Sequence, residues 1–265
     1  MTVDLRAASS FEADELAALF TRAYEGYFVP MQVDEEALRF LVRAFDLDLD
    51  AGLVAFDDDE PVGLVNLGIR GERGWIGGIG GLGVVSRARR RGIGRMLMEA
   101  VHEEARARGI RELSLEVIEA NEAAFRLYEE LGYGMTRWLE IGSLDSAPGE
   151  APPEEAWQAA HERIRASRST REPWQRDDDT LRHYDDLRGL AAGDGAAVYR
   201  VTPEGRIVVL QFAGDQPAAR ETLEALRTLG AVSVFNVSEG GALVAALEEL
   251  GGSVVLRQRE LAFRL

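Results

Sequence analysis

The sequence predicts an α/β (α+β) fold: a mixed central sheet flanked by helices, present as two tandem copies. The spacing of apolar residues switches several times between a period near 2, typical of strands, and one near 3.6, typical of helices. An offset of 119 residues lays residues 129–132 on residues 248–251, both of them Glu-Glu-Leu-Gly. The order of elements around these two segments is also the same, which favours a divergent duplication.

The first copy opens with an amphipathic helix, because Leu16, Leu19, Phe20 and Ala23 fall on one helical face. A hairpin and a glycine-dense strand follow, and the apolar period then changes to that of a helix. The predicted elements are, in order, helices over 11–25 and 34–45, strands over 52–56, 62–69 and 75–85, a helix from 93 that Gly109 ends, a strand over 113–117, a helix from 124 that Gly132 ends, and an extended segment over 133–144.

The clearest linker is the proline-rich segment 146–153, which separates a first domain over 1–145 from a second over 154–265. In the second domain the predicted elements are helices over 154–168 and 178–192, strands over 196–201 and 206–213, a helix over 216–229, a strand over 231–237, a helix over 241–250 and an extended run over 253–264. The segment before its 216–229 helix reads Gly-Asp-Gln-Pro and has no arginine. The second domain is therefore expected to be a degenerate copy.

Composition excludes several kinds of chemistry. The 265 residues contain no cysteine and no lysine, so disulfides, cysteine zinc sites, cysteine acyl-enzymes and lysine Schiff bases cannot form. The formal charge of −16 argues against broad nucleic-acid binding. No metal-ligand spacing is visible, no apolar run is long enough to span a membrane, and residues 1–10 lack a signal-peptide core. We expect a cytoplasmic protein.

One basic segment, from Val84 to Arg95, interrupts this acidic sequence between a strand and a helix. Gly92 and Gly94 allow the backbone to approach a ligand closely, and the first N–H groups of the following helix lack intrahelical partners. With the arginines, they describe a pyrophosphate-binding loop; a basic tight turn is the alternative. The segment matches neither the Walker loop nor the dinucleotide fingerprint.

In context this loop becomes specific. Arg89-x-x-Gly92-x-Gly94 after a strand, followed by Leu115-Glu116-Val117, Asn121, Tyr128 and Leu131-Gly132-Tyr133, resembles the GCN5-related N-acetyltransferase (GNAT) family over about residues 75–145. The resemblance implies that Arg89 and the backbone amides of the loop bind the pyrophosphate of acetyl-CoA. It implies that the strand before the loop pairs with the pantetheine arm, and that the Val84 N–H stabilises negative charge on the thioester oxygen. The residues concerned are Leu82, Gly83 and Val84 on the strand, and Arg90, Arg91, Gly92, Ile93, Gly94 and Arg95 in the loop.

The resemblance also assigns roles to polar residues after the loop. Tyr128 is the expected acid that protonates the departing thiolate, although it could be only a core aromatic. Asn121 is expected to cap a helix and touch the pantetheine arm. Glu116 matches the general base of the branch that acetylates the N-terminal alanine of a ribosomal protein, and its alternative is a structural carboxylate. The loop with Glu25, Tyr27 and Phe28 is where the family builds its acceptor pocket.

The expected reaction is direct transfer of an acetyl group from acetyl-CoA to a primary amine, with a small molecule favoured as acceptor. Two alternatives remain open: acetylation of a protein or peptide N-terminus, and a non-catalytic sensor that only binds acyl-CoA. The second copy could shape the acceptor cleft, regulate the first copy or form a homodimer.

Overall fold

The computed structural model describes residues 3–77 and 81–265. These residues form two compact units. The first contains the described residues up to Thr136 together with Glu260–Leu265, and the second contains Arg137–Arg259. The end of the chain therefore belongs to the unit that its beginning forms. The division into a competent copy and a degenerate copy concerns function and stays a prediction here.

The strands of the first unit fall into two groups. They are β1 (Val3–Ala7), β2 (Leu53–Asp57), β3 (Glu60–Val65), β4 (Gly68–Arg70), β5 (Arg73–Trp75), β6 (Leu82–Val84) and β7 (Glu112–Ile118). The first group has the order β1-β2-β3-β6, and all neighbours are antiparallel. In the second group, β4 runs antiparallel to β5, and β5 runs parallel to β7.

The first unit has four described helices: α1 (Ala13–Ala23), α2 (Glu35–Ala44), α3 (Ile93–Ala107) and α4 (Glu122–Glu130). Helices α1 and α3 pack on strands of the first group, and α2 packs against α1. Their starts follow from local sequence. A reciprocal capping box of Glu12 and Glu15 begins α1, and the Asp34 side chain accepts the Ala37 N–H at the start of α2. Within the described ranges, no helix has the length and apolar character needed to cross a bilayer.

The second unit is built around one run of strands with helices beside it. Its elements are β8 (Gly134–Leu144), α5 (Trp157–Ser167), α6 (Asp178–Leu181), β9 (Arg188–Ala192), β10 (Gly195–Val201), β11 (Ile207–Ala213), α7 (Gln216–Leu226), β12 (Val232–Ser238), α8 (Ala242–Glu249) and β13 (Ser253–Arg264). The strand order is β8-β12-β11-β10-β9, in which only β11 and β12 are parallel. Strands β8 and β13 each have residues in both units.

Four sequence-based assignments differ from the structure, and the first is the single strand predicted over 62–69, which is two strands, β3 and β4. The helix predicted over 178–192 is wrong: α6 has only four residues, and β9 follows it. The two-residue Gly193–Asp194 turn, with Gly193 at φ +53°, joins β9 to β10 and takes precedence over the helical spacing. Strand β1 was not predicted, although alternate residues of it face inward. The single strand predicted over 75–85 is two strands, and residues 78–80 of it lie outside the described residues.

Candidate active site

Strands β5 and β6 pair with different neighbours, and this change of partner makes an opening in the first unit. Trp75 is in register with Ser114 of β7, and Ile76 donates its N–H to the Ser114 carbonyl at 2.9 Å. From Gly81 the chain pairs with the other group of strands, since the Gly81 carbonyl accepts the Asn66 N–H at 2.9 Å. Beyond this point β6 has left β7, and one edge of β6 faces the opening.

The register of β6 fixes which backbone groups lie on this open edge. Val85 donates its N–H to the Val62 carbonyl at 2.9 Å and so faces the neighbouring strand. Backbone groups alternate between the two sides of a strand, so the N–H and C=O of Leu82 and Val84 face the open side. Gly83 faces β3, where it pairs with Leu64. Of the three strand residues predicted to meet the pantetheine arm, Leu82 and Val84 therefore direct their backbone groups into the opening.

Two side chains already bond the carbonyls of this open edge. The Tyr24 hydroxyl donates to the Leu82 carbonyl at 2.8 Å, and Arg89 Nε donates to the Val84 carbonyl at 2.9 Å. Arg89 Nη2 also donates to the Ala23 and Glu25 carbonyls, at 3.0 and 3.2 Å. The Arg89 guanidinium is thus engaged with three backbone carbonyls.

The segment predicted to bind pyrophosphate is the start of α3. Gly92 caps the helix at φ +83°, and a side-chain Cβ placed there would meet nothing within 4 Å. A Cβ at Gly94 would approach Leu127 Cδ2 at 3.6 Å and Leu82 Cδ2 at 3.8 Å, which is ordinary contact. Arg90, which is not glycine, also has a positive φ of +61°. Neither glycine is required by side-chain packing, so the space in front of this turn is available to a ligand.

The arginines around this turn have different partners. Arg91 pairs with Asp57 at 2.9 Å, Arg87 pairs with Glu60 at 2.5 Å, and Arg95 pairs with Glu130. The Arg90 guanidinium has no protein partner within the described parts of the chain, and its side chain is exposed. It is the loop arginine best placed to add positive charge to the first-turn N–H groups of α3.

A cleft of about 720 Å³ connects the open edge of β6 with this turn. Most of the predicted site residues line it: Tyr27, Phe28, Leu82, Gly83, Val84, Arg89, Arg90, Gly92, Gly94, Arg95 and Asn121. Five predicted residues are not part of the lining: Glu25, Arg91, Ile93, Glu116 and Tyr128. The Ile93 side chain is buried in the core, so a role in binding would be confined to its backbone N–H.

Tyr128 lies buried among aromatic side chains close to the cleft. Its ring is 5.8 Å from the Tyr133 ring, and burial raises the pKa of its hydroxyl well above the usual value. Tyr133 in turn hydrogen-bonds His102 Nε2 at 2.9 Å, and the His102 ring stacks on Phe263. Burial lowers the pKa of His102 to about 4, so this histidine is neutral at pH 7. The Tyr128 hydroxyl keeps its proton at any physiological pH.

Glu116 lies on β7 just past the point where β5 stops pairing with it. Its Oε2 accepts a hydrogen bond from the indole N–H of the fully buried Trp75 at 2.8 Å. The Trp75 ring packs edge-on against Phe45, which fixes the direction of this bond. Glu116 is therefore an oriented carboxylate, half-buried at the base of the opening.

Asn121 caps α4 as the sequence suggests, since its Oδ1 accepts the Ala124 N–H at 3.3 Å. It also lies close to Tyr27, the predicted acceptor-pocket residue, whose pKa burial raises and Asn121 lowers. Tyr24 was not identified from the sequence, yet it lines the cleft and packs against Phe20 and Tyr27. Its only signal was its place four residues after Phe20 on the same helix face, which does not distinguish a site residue from a core residue.

Residues 13–133 match the model of the acetyltransferase (GNAT) family. This part of the chain belongs to that family. Over 44 residues the chain is 52% identical to the [Ribosomal protein bS18]-alanine N-acetyltransferase of Salmonella typhimurium. That alignment covers 17% of this chain and only 30% of the relative.

Solved GNAT structures extend the similarity in fold to almost the whole chain. A GCN5-related N-acetyltransferase from Sphaerobacter thermophilus aligns with a TM-score of 0.70 at 16% identity, over 99% of this chain and 95% of the other. A tandem GNAT protein from the clavulanic acid biosynthesis pathway aligns with a TM-score of 0.64 at 14% identity, over 99% and 98% of the two chains. At these identities the matches establish the GNAT fold and leave the acceptor open.

Proposed function

We propose that this GNAT protein is an acetyl-CoA-dependent N-acetyltransferase whose active site is the cleft of the first unit. The observation that carries the proposal is the open edge of β6. The N–H groups of Leu82 and Val84 face a cleft that ends at the Gly92 turn, and their carbonyls are bonded elsewhere. This arrangement suits a long ligand with carbonyl groups along one part and phosphates at its end.

The residues of the cleft fit acetyl-CoA in chemistry and order. The first-turn N–H groups of α3 and the Arg90 guanidinium would hold the pyrophosphate, because both offer positive charge to an anion. The N–H groups of Leu82 and Val84 would hold the amide-containing arm. When bound, acetyl-CoA supplies an acetyl group activated as a thioester.

Three residues of the chain then act at the reacting atoms. The Val84 N–H donates to the carbonyl oxygen, where negative charge develops. Glu116, oriented by Trp75, accepts the proton of the attacking amine, directly or through water. The buried Tyr128 hydroxyl, which stays protonated, donates its proton to the leaving sulfur. Because the chain has no cysteine, no cysteine acyl-enzyme can form, and direct attack of the amine on the thioester is the reaction we propose.

We propose a small-molecule primary amine as the acceptor. Tyr27 and Phe28 line the cleft, and Phe28 is 54% exposed, so an aromatic rim receives the apolar part of such an amine. A peptide N-terminus is the second candidate. It is favoured by the 52% identity over 44 residues with an enzyme named for acetylating the alanine of a ribosomal protein.

The test is release of CoA from acetyl-CoA with separate panels of small amines and of peptides with free N-termini. We expect turnover with at least one small amine, and a fall of about 100-fold or more in kcat for Tyr128→Phe. Tyr184→Phe, which removes a partly buried hydroxyl in the second unit, is the matched control and should keep full activity. Turnover restricted to peptides would favour the second candidate. Acetyl-CoA binding without any turnover would indicate a sensor.

We also propose that the second unit, together with the predicted domain over 154–265, is a degenerate copy that binds no cofactor. Strands β11 and β12 pair in parallel over three residue pairs, from Ile207–Val232 to Val209–Val234. Strands β5 and β7 of the first unit also pair over three residue pairs. Past the pairs of β11 and β12 lie the polar side chains of Gln211 and Asn236, and both are 0% exposed.

The space where β11 and β12 separate is filled by residues before α6. Gln211 Nε2 donates to the Arg176 carbonyl at 2.6 Å, and Arg176 Nη1 donates to the Phe235 carbonyl at 2.8 Å. Asn236 Nδ2 donates to Gln175 Oε1 at 2.7 Å. The backbone and side-chain groups that a cofactor arm would use are thus bonded to the chain itself.

Binding stoichiometry tests this second proposal. Calorimetric titration of the full chain should give one acetyl-CoA per chain, and Gly92→Glu should abolish it. Gly205→Glu is the matched control, because Gly205 also has a positive φ and an open surface but lies in a turn of the second unit. Two acetyl-CoA molecules per chain, or one that survives Gly92→Glu, would contradict the proposal.

A further inference from the structure

We propose that Tyr24 and Arg89 are positioning residues that set the polarity of the open edge of β6. They each bond one of its two outward carbonyls, so that the N–H groups are left as the unsatisfied groups of the edge and favour a ligand that brings carbonyls. This inference rests on the proposed acetyl transfer and assigns it two residues that act through the backbone. It also gives Arg89 a different role from the phosphate contact that the sequence suggests.

A strand edge without these two side-chain bonds would not favour ligand carbonyls over ligand N–H groups. Leu82 and Val84 each direct one donor and one acceptor toward the cleft, so a ligand could meet either kind of group. The hydroxyl of Tyr24 engages the Leu82 acceptor, and the guanidinium of Arg89 engages the Val84 acceptor. Each carbonyl keeps one lone pair, whereas the two N–H donors, about 6.8 Å apart by the two-residue repeat of a strand, have no bond within the described residues. These donors match a ligand with two carbonyls at that separation.

Tyr24 is held firmly enough to maintain its bond. Its ring stacks on Phe20 at 4.7 Å and meets Tyr27 edge-on at 5.0 Å. A Cβ on Gly83 would lie only 2.8 Å from Tyr24 Cε2, so the absence of a side chain at Gly83 is what admits the ring. Burial raises the pKa of Tyr24, and its hydroxyl therefore remains a donor.

Arg89 brings a positive charge to the open edge of β6. Besides Val84 it bonds the carbonyl of Ala23, the last residue of α1, and that of Glu25 just beyond it, where helical carbonyls lack partners. One planar guanidinium thus joins the strand, the helix end and the acceptor loop, a geometry that an ammonium group cannot reproduce. Its positive charge lies beside the residue whose N–H faces the developing negative charge, and it stabilises that negative charge through space.

The test compares two ligands that differ in one carbonyl. Acetyl-CoA carries the thioester carbonyl, and S-ethyl-CoA, a thioether, lacks it. We expect the wild-type protein, without amine present, to bind acetyl-CoA about 10-fold more tightly, the value of one hydrogen bond from the Val84 N–H beside the Arg89 charge. Tyr24→Phe and Arg89→Lys should reduce this preference to less than about 3-fold and change S-ethyl-CoA affinity little. In turnover both should lower kcat more than they raise KM for acetyl-CoA.

Two control variants separate positioning from general damage. Arg87→Lys alters a neighbouring arginine that pairs with Glu60 on the surface, and Tyr184→Phe removes a hydroxyl in the second unit. Both should keep the wild-type preference for acetyl-CoA. If Arg89→Lys also keeps it, Arg89 does not set the polarity of the edge, and the inference is wrong.

Hydrogen exchange in the ligand-free protein tests the inference independently of acetyl transfer. Loss of the Arg89 bonds should loosen β6 on β3 and speed exchange of the Gly83 and Val85 amides by about 5-fold, the value of a bond worth 1 kcal/mol. Unchanged exchange in both Tyr24→Phe and Arg89→Lys would overturn the inference. If the wild type binds neither CoA compound, the proposed function fails, and exchange alone decides the positioning role.

Discussion

Gly83→Ala is the substitution that most directly tests how the cleft is built. A Cβ at this position would lie 2.8 Å from Tyr24 Cε2 and 3.0 Å from Ala23 Cβ. The Tyr24 ring cannot easily withdraw, because it is held between Phe20 and Tyr27 and its hydroxyl is bonded to the Leu82 carbonyl. One added methyl group must therefore displace either the ring or the strand.

The size of the effect follows from the two contributions. Overpacking by a single methyl group costs about 1–3 kcal/mol, and loss of the Tyr24 hydrogen bond adds about 1 kcal/mol. Together these amount to about 2–4 kcal/mol, which for a unit of this size lowers the melting temperature by about 7–13 °C. Scanning calorimetry should show this change in the transition of the first unit, and acetyl-CoA affinity should fall with it.

Gly94→Ala is the matched control. A Cβ there would be 3.6 Å from Leu127 and 3.8 Å from Leu82, so the protein accommodates it, and alanine in the first turn of a helix is slightly stabilising. The melting temperature of Gly94→Ala should equal or exceed that of the wild type. If Gly83→Ala melts like Gly94→Ala, the Tyr24 ring is not packed against β6, and the description of the open edge fails.

Three further changes have definite expected results. Trp75→Phe removes the donor to Glu116, and we expect kcat to fall several-fold with little change in KM for acetyl-CoA. Because the pKa of His102 is lowered from about 6.5 in the unfolded chain to about 4, stability is retained above pH 6.5 and lost as the pH falls toward 4. The loss is about 2 kcal/mol at pH 5, and His102→Gln should flatten the pH dependence of urea unfolding by that amount. Thr222 Oγ1 is buried and has no hydrogen-bond partner within the described residues, so Thr222→Val should raise the free energy of unfolding by about 1 kcal/mol. Thr180→Val is the control: it loses a 2.6 Å hydrogen bond to the Trp174 carbonyl and should lower the free energy of unfolding.

The local patterns of the sequence predicted most helices and strands well. The amphipathic periodicity over 11–25 and 34–45 and the long final strand over 253–264 correspond to α1, α2 and β13. The prediction failed where two signals competed. Over 178–192 the apolar spacing suits a helix, but the turn at Gly193 makes a hairpin in which β9 pairs with β10. The hydrogen bonds of this pairing favour a strand over a helix there.

The loop at Gly92 could be predicted because its features lie close together in sequence, and the positive φ there agrees with the glycine. The hydrogen bonds of Tyr24 and Arg89 to β6 could not be predicted. Tyr24 is 58 positions from Leu82 and Arg89 is five positions from Val84, and no side-chain pattern identifies the backbone carbonyls that accept these bonds. Arginine beside a glycine loop suggests a phosphate ligand from sequence alone. Only the geometry indicates that this particular arginine bonds its own backbone.

The same feature of the GNAT fold has opposite consequences in the two units. In both, parallel pairing ends after three residues, and the second residue past that point carries a polar group: Glu116 in the first unit and Asn236 in the second. Glu116 is half-buried, and its charge is tolerated beside the Trp75 donor. Asn236 is fully buried between Gln175 and Gln258, where it donates to one and accepts from the other. A carboxylate there would lose the donor and bury a charge, which is costly. A neutral amide suits a filled opening and a carboxylate suits an open one, so this position alone predicts which unit admits a ligand.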